Sequence, residues 1–136
     1  QQAKRVTAGL ESNRLAILLA VLHRHGGVAT YDQDVFINVV GGVKVTETGS
    51  DLAIIAAIFS SLRNIIIDRE TIIFGEIGLA GEIRPVQSGQ ERLREAAKHG
   101  FKRAIVPVGN APKRLKEIEV KPVKHLQEVL ELLRSA

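Results

Sequence analysis

Apolar residues recur at helical spacing in four parts of the chain. Four leucines between residues 15 and 22 predict a helix that ends at Gly26-Gly27. Residues 51–62 predict a second helix that is apolar on most faces, and residues 89–99 and 125–133 predict two more. The third helix is expected to stop at Gly100, because glycine is favoured just past a helix end.

Shorter apolar runs between the helices predict strands. VFINVV at 35–40 is the best of them; Gly41-Gly42 breaks it and residues 43–45 resume it. Residues 101–108 and 119–123 predict two further strands, 65–67 a helix end or a short extended piece, and 113–116 a helical turn. Residues 72–86 predict a hairpin punctuated by glycines at 75, 78 and 81, where positive φ or close backbone approach is expected.

Alternation of strands and helices predicts a mixed α/β (α+β) fold. The 136 residues are enough for one domain with a sizeable core, and the 45% hydrophobic residues are mostly aliphatic. We assign residues 1–10 to a linker that enters a short strand or turn, and residues 11–136 to one domain, excised from something longer. With one Tyr and four Phe, the chain does not look like a base-stacking module.

The chain contains no cysteine, which excludes disulfides, thiolate metal sites and cysteine nucleophiles. No apolar run approaches the roughly 18 residues of a membrane span, and no basic-then-apolar leader is visible, so we expect a cytoplasmic protein without a membrane partner. His23 and His25 are two residues apart and would point to different helix faces, so we predict no metal site there.

The net charge of +4 is unevenly placed. Residues 1–70 contain seven basic and seven acidic residues, whereas residues 71–136 contain twelve basic and eight acidic ones. A modest basic bias fits contact with nucleic acid, but on charge alone solvated helix faces are the preferred explanation.

Three positions are interpreted as helix N-caps: Ser12-Asn13, Asp51 and Ser88, each just ahead of or at a predicted helix start. Arg14 lies in a first helical turn, against the preference of the helix dipole. It is therefore interpreted as a contact to a partner or a neighbouring subunit.

The hairpin GEIGLAGEIRPV, its following helix and the strand GFKRAIVP resemble the proteolytic domain of the Lon family. The resemblance implies that family's mixed sheet with packed helices, also found in the second domain of a ribosomal small-subunit protein. Aligned on these motifs, Asp51 stands where Lon has its serine and Gln90 where Lon has its lysine. A serine–lysine dyad needs a hydroxyl and a basic amine, so the resemblance implies a degenerate, inactive site. An active or vestigial peptidase using Ser50 and a displaced cation among Lys44, Arg92 and Lys98 is the alternative.

The chain is similar along nearly its whole length to the C-terminal domain of the bacterial RadA (Sms) family. The matching segments are RVTAGL at 5–10, NRL at 13–15, QDVF at 33–36, VGG at 40–42, DLA at 51–53, the hairpin 74–84 and RLREAA at 92–97. The resemblance implies a hexameric, DNA-dependent ATPase in recombination and branch migration, whose other domains use ATP, Mg and Zn. This chain lacks cysteine and a P-loop, so we expect no cofactor in it. The implied partners are branched or duplex DNA, further copies in a ring, and RecA.

Exposed cations are the candidates for DNA contact, since phosphate binding needs flexible cations on one face. The candidates are Arg14, Lys102, Arg103, Lys113, Arg114, Lys116, Lys121 and Lys124. Binding is expected to be independent of sequence and to fall with salt. The alternatives are that these cations form a solvated surface, or that the domain only oligomerises.

Overall fold

The computed structural model describes residues 3–38, 47–113 and 115–135. Its elements in chain order are β1 (Arg5–Ala8), α1 (Ser12–Gly26), β2 (Val35–Asn38), α2 (Asp51–Arg63), β3 (Thr71–Ile73), β4 (Glu76–Ile77), β5 (Ile83–Arg84), α3 (Gly89–Lys98), β6 (Arg103–Pro107), β7 (Glu119–Val123) and α4 (Leu126–Ser135). Short 3₁₀ turns occupy Thr48–Ser50 and Val108–Asn110. The mixed α/β fold is confirmed.

The strands form three small sheets. β1 and β2 pair in parallel, β3, β6 and β7 form a parallel sheet in the order β3-β6-β7, and β4 and β5 form an antiparallel hairpin. Pro122 lies in β7, at the edge of its sheet, where a residue without an N–H is tolerated. The chain runs from the end of β6 to the start of β7 through residues 108–118.

Two apolar clusters hold these elements together. The larger cluster joins α1, α2, α4, β2 and the hairpin, with Leu18, Leu22, Leu52 and Phe59 at 0% exposure. The smaller cluster lies between α3 and the three-stranded sheet and is centred on Leu93. The chain therefore carries its own core.

The hairpin is shorter than predicted. Thr71–Ile73 belongs to the parallel sheet, so only β4 and β5 form the hairpin. Gly75 and Gly81 have φ of 150° and 83°, as expected of glycine. At Gly78 a Cβ would lie 2.2 Å from the carboxylate end of the Glu82 side chain, so a larger residue there would displace that side chain.

The tip of the hairpin is fixed to the start of α4. The N–H of Leu126 donates to the Gly81 carbonyl at 2.9 Å, and the N–H of Ile83 donates to the Lys124 carbonyl at 2.8 Å. A Cβ on Gly81 would meet the His125 ring at 2.9 Å, so this contact also requires glycine.

Three other predictions meet different outcomes. Residues 1–10 were predicted to be a linker that enters a short strand or turn, and their described part contains the strand β1, which pairs with β2, and the buried Leu10. The helical turn predicted at 113–116 is wrong for the described residues, since the helical turn lies at Val108–Asn110. The strand predicted at 35–40 is described only as far as Asn38; residues 39–46 and Arg114 lie outside the described residues.

The predicted capping side chains also behave differently. α1 starts at Ser12 and its N-cap is Glu11, while Ser88 is the N-cap of α3 in the left-handed region, and neither N-cap side chain makes a capping hydrogen bond. The predicted C-terminal end of α1 is confirmed: Gly27 adopts φ 70° and its N–H donates to His23. Backbone geometry, not side-chain caps, ends these helices.

Candidate functional site

Backbone hydrogen bonds join the start of α2 and the segment before it to Gly75, which lies between β3 and β4. The N–H of Gly75 donates to the Gly49 carbonyl at 2.9 Å, and the N–H of Leu52 donates to the Gly75 carbonyl at 3.0 Å. A Cβ on Gly75 would lie 3.1 Å from Ile83. These contacts fix the N-terminus of α2 beneath the hairpin.

Asp51, the first residue of α2, is a buried carboxylate with partners from two other elements. It is 1% exposed, and it accepts hydrogen bonds from Nε (2.9 Å) and Nη2 of Arg14 and from the backbone N–H of Ile77 (3.1 Å). The N-cap interpretation of Asp51 is wrong, because these tertiary bonds use the carboxylate and Ser50 holds the N-cap position. Asp51 thus joins α1, α2 and β4.

Arg14 is the ion-pair partner of Asp51, and this pairing could not be predicted from the sequence. Its side chain is 26% exposed and its guanidinium forms the ion pair with Asp51 inside the chain. Its placement in the first turn of α1 is therefore explained by a carboxylate 37 residues away. DNA contact by Arg14 stays a prediction, but this pairing makes it the weakest of the candidates.

Gln90 lies in the first turn of α3 and is exposed. The two positions of the degenerate dyad thus hold a buried, paired carboxylate and an exposed amide. Thr48, in the 3₁₀ turn just before Asp51, donates its hydroxyl to Glu76 at 2.5 Å.

The cations proposed as a displaced base have other partners where they are described. Arg92 pairs with Glu47 and lies 5.9 Å from the centre of the Phe74 ring. Lys98 lies 3.9 Å from Glu95. Lys44 lies outside the described residues.

Ser50 lines a cleft of about 420 Å³ together with Phe74, Arg92, Glu95 and His99. His99 was missed by sequence reasoning, and its Nε2 lies 3.6 Å from a carboxylate oxygen of Glu95. Among the described residues no hydrogen bond joins His99 to Ser50, so the cleft holds no assembled nucleophile and base. Only the three-dimensional packing of α3 against β3 brings these residues together.

Five of the predicted basic residues lie in β7 or in segments joined to it. Lys121 is in β7, Lys124 follows it, and Lys113 and Lys116 lie in the segment that precedes it. Lys102 is next to the start of β7, because its carbonyl accepts the Glu119 N–H at 2.8 Å. The five lysines are all exposed.

Besides Arg14, two members of the predicted set have acidic partners. Arg103 pairs with Asp68, and Lys121 lies 3.8 Å from Glu119. In the described part of the chain, Lys102, Lys113, Lys116 and Lys124 have no carboxylate within ion-pair distance. We call these four residues the basic strip. Arg114 is outside the described residues.

Two carboxylates outside these sites have lowered pKa values. The pKa of Asp68 is lowered by the hydrogen bond from the Glu70 N–H and then by Arg103. The pKa of Glu82 is lowered mainly by its hydrogen bond from Arg84, and the same pair raises the pKa of Arg84. Both pairs are exposed, so salt will screen them.

Comparison with known proteins gives one family and a consistent set of relatives. A family model described as "Subunit ChlI of Mg-chelatase" matches residues 5–110. Proteins named DNA repair protein RadA are similar over almost the whole chain. The one from Pseudomonas aeruginosa is 65% identical over 131 residues, the one from Escherichia coli 63% over 128, and the one from Aquifex aeolicus 45% over 130.

The matches cover only part of those proteins. They include 96%, 93% and 96% of this chain but 29%, 28% and 29% of the respective relatives. The chain therefore spans less than a third of the length of the relatives it matches. No helix among the described residues is long and apolar enough to cross a membrane.

Proposed function

The chain belongs to the family described as "Subunit ChlI of Mg-chelatase", and we propose that within it the chain is a non-proteolytic, Lon-like scaffold domain of a RadA-type DNA repair protein. In this role it supports assembly of a ring, a hexamer by the resemblance stated above, and contacts duplex or branched DNA without sequence specificity. The family description names another activity. The relatives that match 93% or more of the chain are named DNA repair proteins, and their high identity directs the proposal to DNA repair.

The observation that carries the non-proteolytic part is the contact of Asp51 with Arg14. The position that aligns with the Lon nucleophile holds a carboxylate that is 1% exposed and bonded to a guanidinium and a backbone N–H. A carboxylate that is 1% exposed and accepts three hydrogen bonds is not accessible to a substrate, and Gln90 supplies no base. This arrangement supports a structural use of the former catalytic position.

The basic strip supports the DNA contact. Lysine side chains without acidic neighbours can neutralise phosphates and release counterions, which drives binding to any sequence. The strip offers no aromatic platform or bidentate side chain for reading bases, so phosphate contact is the chemistry that it fits.

The longer protein is proposed to be a DNA-dependent ATPase with RecA as a further partner. Its ATP, Mg and Zn cannot be held by the motifs usual for them in this chain, which has neither a P-loop nor a cysteine.

Duplex-DNA binding by the 136-residue chain, measured together with its mass in solution, tests this proposal. Binding that weakens with salt and is equal for unrelated sequences supports it. Serine-dependent turnover of a peptide, removed by Ser50→Ala, would instead favour a peptidase. Assembly without any DNA binding at low salt would leave the pure oligomerisation domain as the correct function.

A further inference from the structure

The tip of the hairpin formed by β4 and β5 is apolar. The N–H of Gly81 donates to the Gly78 carbonyl at 3.0 Å, so Leu79 and Ala80 occupy the two central positions of a tight turn. Such positions are usually taken by Gly, Pro, Asn, Asp or Ser. Here both side chains are apolar and exposed, and Leu79 is 75% exposed. The turn therefore presents a leucine to solvent where a polar residue is the usual choice.

Three hydrogen bonds outside the two strands hold this turn in place. The N–H of Ala80 donates to Oε1 of Glu82 at 3.1 Å, and the Ala80 carbonyl is hydrogen-bonded to Nε2 of His125 at 3.2 Å. The Gly81 carbonyl accepts the N–H of Leu126 at 2.9 Å. A side chain on a turn fixed in this way loses little conformational freedom when it binds, so the turn is preorganised for contact.

The turn lies at one end of the basic strip. Lys102 is beside the first residue of β7, and Lys124 directly follows its last residue, so these two lysines are at opposite ends of that strand. Lys124 adjoins His125, whose ring contacts Ala80. A single exposed leucine is ordinary in a folded protein, but a phosphate bound at Lys124 would lie beside the turn that carries Leu79.

Two acids lie close to the turn, and both have other partners. Glu82 pairs with Arg84 at 2.8 Å, and Glu128 accepts the backbone N–H groups of Lys124 and His125 at 3.0 Å each. In the described part of the chain, neither carboxylate forms an ion pair with the ammonium group of Lys124. That ammonium group is therefore available to a phosphate next to the turn.

We propose that Leu79 is an apolar wedge that packs on the exposed face of a base where the stacking of DNA is interrupted, as at a fork or a branch point. This inference rests on the DNA contact proposed above and names the form of DNA that is recognised. Apolar side chains can enter between base pairs, but they must then unstack them, which costs free energy. A fork has already lost that stacking, so the chain should bind forked DNA more tightly than an intact duplex.

Fluorescence anisotropy of the 136-residue chain with a fork and with an intact duplex of the same sequence tests the wedge. The wild-type chain should bind the fork about fivefold to thirtyfold more tightly than Leu79→Ala does, as expected for the loss of a partly buried leucine side chain. Affinity for the intact duplex and both salt slopes should stay unchanged in Leu79→Ala, because an apolar contact releases no counterion. Leu79→Met should bind the fork like the wild type.

The matched control is Ile66→Ala, which removes an isomeric apolar side chain. Ile66 is 91% exposed and borders a depression with Phe101, next to Lys102 and so at the other end of β7 from the turn. It should not change binding of the fork. Lys124→Gln should make the salt slope shallower by about 1 unit on both DNAs, which separates the phosphate contact from the wedge.

2-Aminopurine placed at the fork gives a second readout, since its fluorescence rises when a neighbouring base no longer stacks on it. The signal should rise with the saturating wild-type chain and not with Leu79→Ala. Unchanged fork affinity in Leu79→Ala, or equal losses in Leu79→Ala and Ile66→Ala, would overturn the wedge and leave the DNA contact standing. A lower mass in solution for Leu79→Ala would also overturn it and assign Leu79 to a contact between copies. No binding to either DNA would overturn the wedge and the proposed DNA contact together.

Discussion

The guanidinium of Arg14 binds both carboxylate oxygens of Asp51 across 37 residues of sequence and joins α1 to α2. The pair is asymmetric, because Asp51 is 1% exposed whereas the side chain of Arg14 is 26% exposed. Without its partner, the guanidinium of Arg14 can still be hydrated, whereas the buried carboxylate of Asp51 cannot. The two partners should therefore respond differently to substitution.

Arg14→Ala is expected to lower the free energy of unfolding by about 3–5 kcal/mol, since it leaves a buried charge with one N–H partner. Asp51→Asn should cost about 1–3 kcal/mol, because an amide can still accept from Ile77. Urea denaturation measures both. The double variant Arg14→Leu, Asp51→Asn should be more stable than Arg14→Ala alone, and Arg84→Ala, in an exposed pair, should change little. Equal costs for the two single variants would contradict this account of the pair.

Asn110, in the 3₁₀ turn that follows β6, is hydrogen-bonded to Val86 in the segment after the hairpin. Its side chain accepts the Val86 N–H at 2.8 Å and donates to the Val86 carbonyl at 2.9 Å, and it is 7% exposed. Asn110→Ala should destabilise the fold by about 1–3 kcal/mol, because both backbone groups lose their partner. The control is Asn13→Ala on the exposed surface of α1, which should be neutral. An unchanged urea midpoint for Asn110→Ala would mean that water replaces the amide.

Stability should fall in mild acid through the two carboxylates with lowered pKa values. A group whose pKa is lower in the folded state stabilises the fold above its unfolded pKa, and this is lost as pH falls through the folded value. For Asp68 and Glu82 the loss therefore begins near pH 4 and continues below it. Thermal unfolding between pH 7 and pH 3 measures it. In Glu82→Gln with Asp68→Asn the acid-induced loss should be smaller, and an identical pH profile would exclude these groups as its source.

The helices were predictable from the sequence, whereas the pairing of the strands into sheets was not. The leucine spacing gave α1 to within a few residues, and the apolar run gave α2 as Asp51–Arg63 against a predicted 51–62. Local periodicity is enough for this because each helix satisfies its own backbone. The parallel pairing of Thr71–Ile73 with β6 depends on distant residues, so the same apolar run was wrongly extended into the hairpin.

The candidate site shows the same division. Asp51 and Gln90 could be singled out from the motif positions. The partnership with Arg14 could not, because a buried ion pair between α1 and α2 leaves no spacing signal in the sequence. The dipole argument at Arg14 did reveal that it needed a partner, but it suggested a partner outside the chain.

No peptidase activity is expected from this chain. A panel of fluorogenic peptides should be turned over no faster with the protein than without it, and Ser50→Ala should change nothing. Trypsin-like contamination is controlled by testing both variants from identical purifications. Turnover that vanishes only in Ser50→Ala would show that a base activates Ser50. His99, which lines the same cleft, would be the first candidate for that base.

The central claim is that the chain contacts DNA through the basic strip. Fluorescence anisotropy with two unrelated duplexes across a salt series measures it most directly, with the mass in solution determined in the same buffers. The test variant reverses the charge of three lysines of the basic strip: Lys113→Glu, Lys116→Glu and Lys124→Glu. The control makes the same charge change elsewhere: Arg24→Glu, Arg94→Glu and Lys98→Glu.

The account predicts equal affinity for the two duplexes and a log–log salt slope that is shallower by about 3 units in the test variant, because about one counterion is released for each phosphate contact. The control should keep most of the original slope. Equal losses in both variants would show that net charge alone attracts DNA. No binding by the assembled wild-type chain at low salt would contradict the claim.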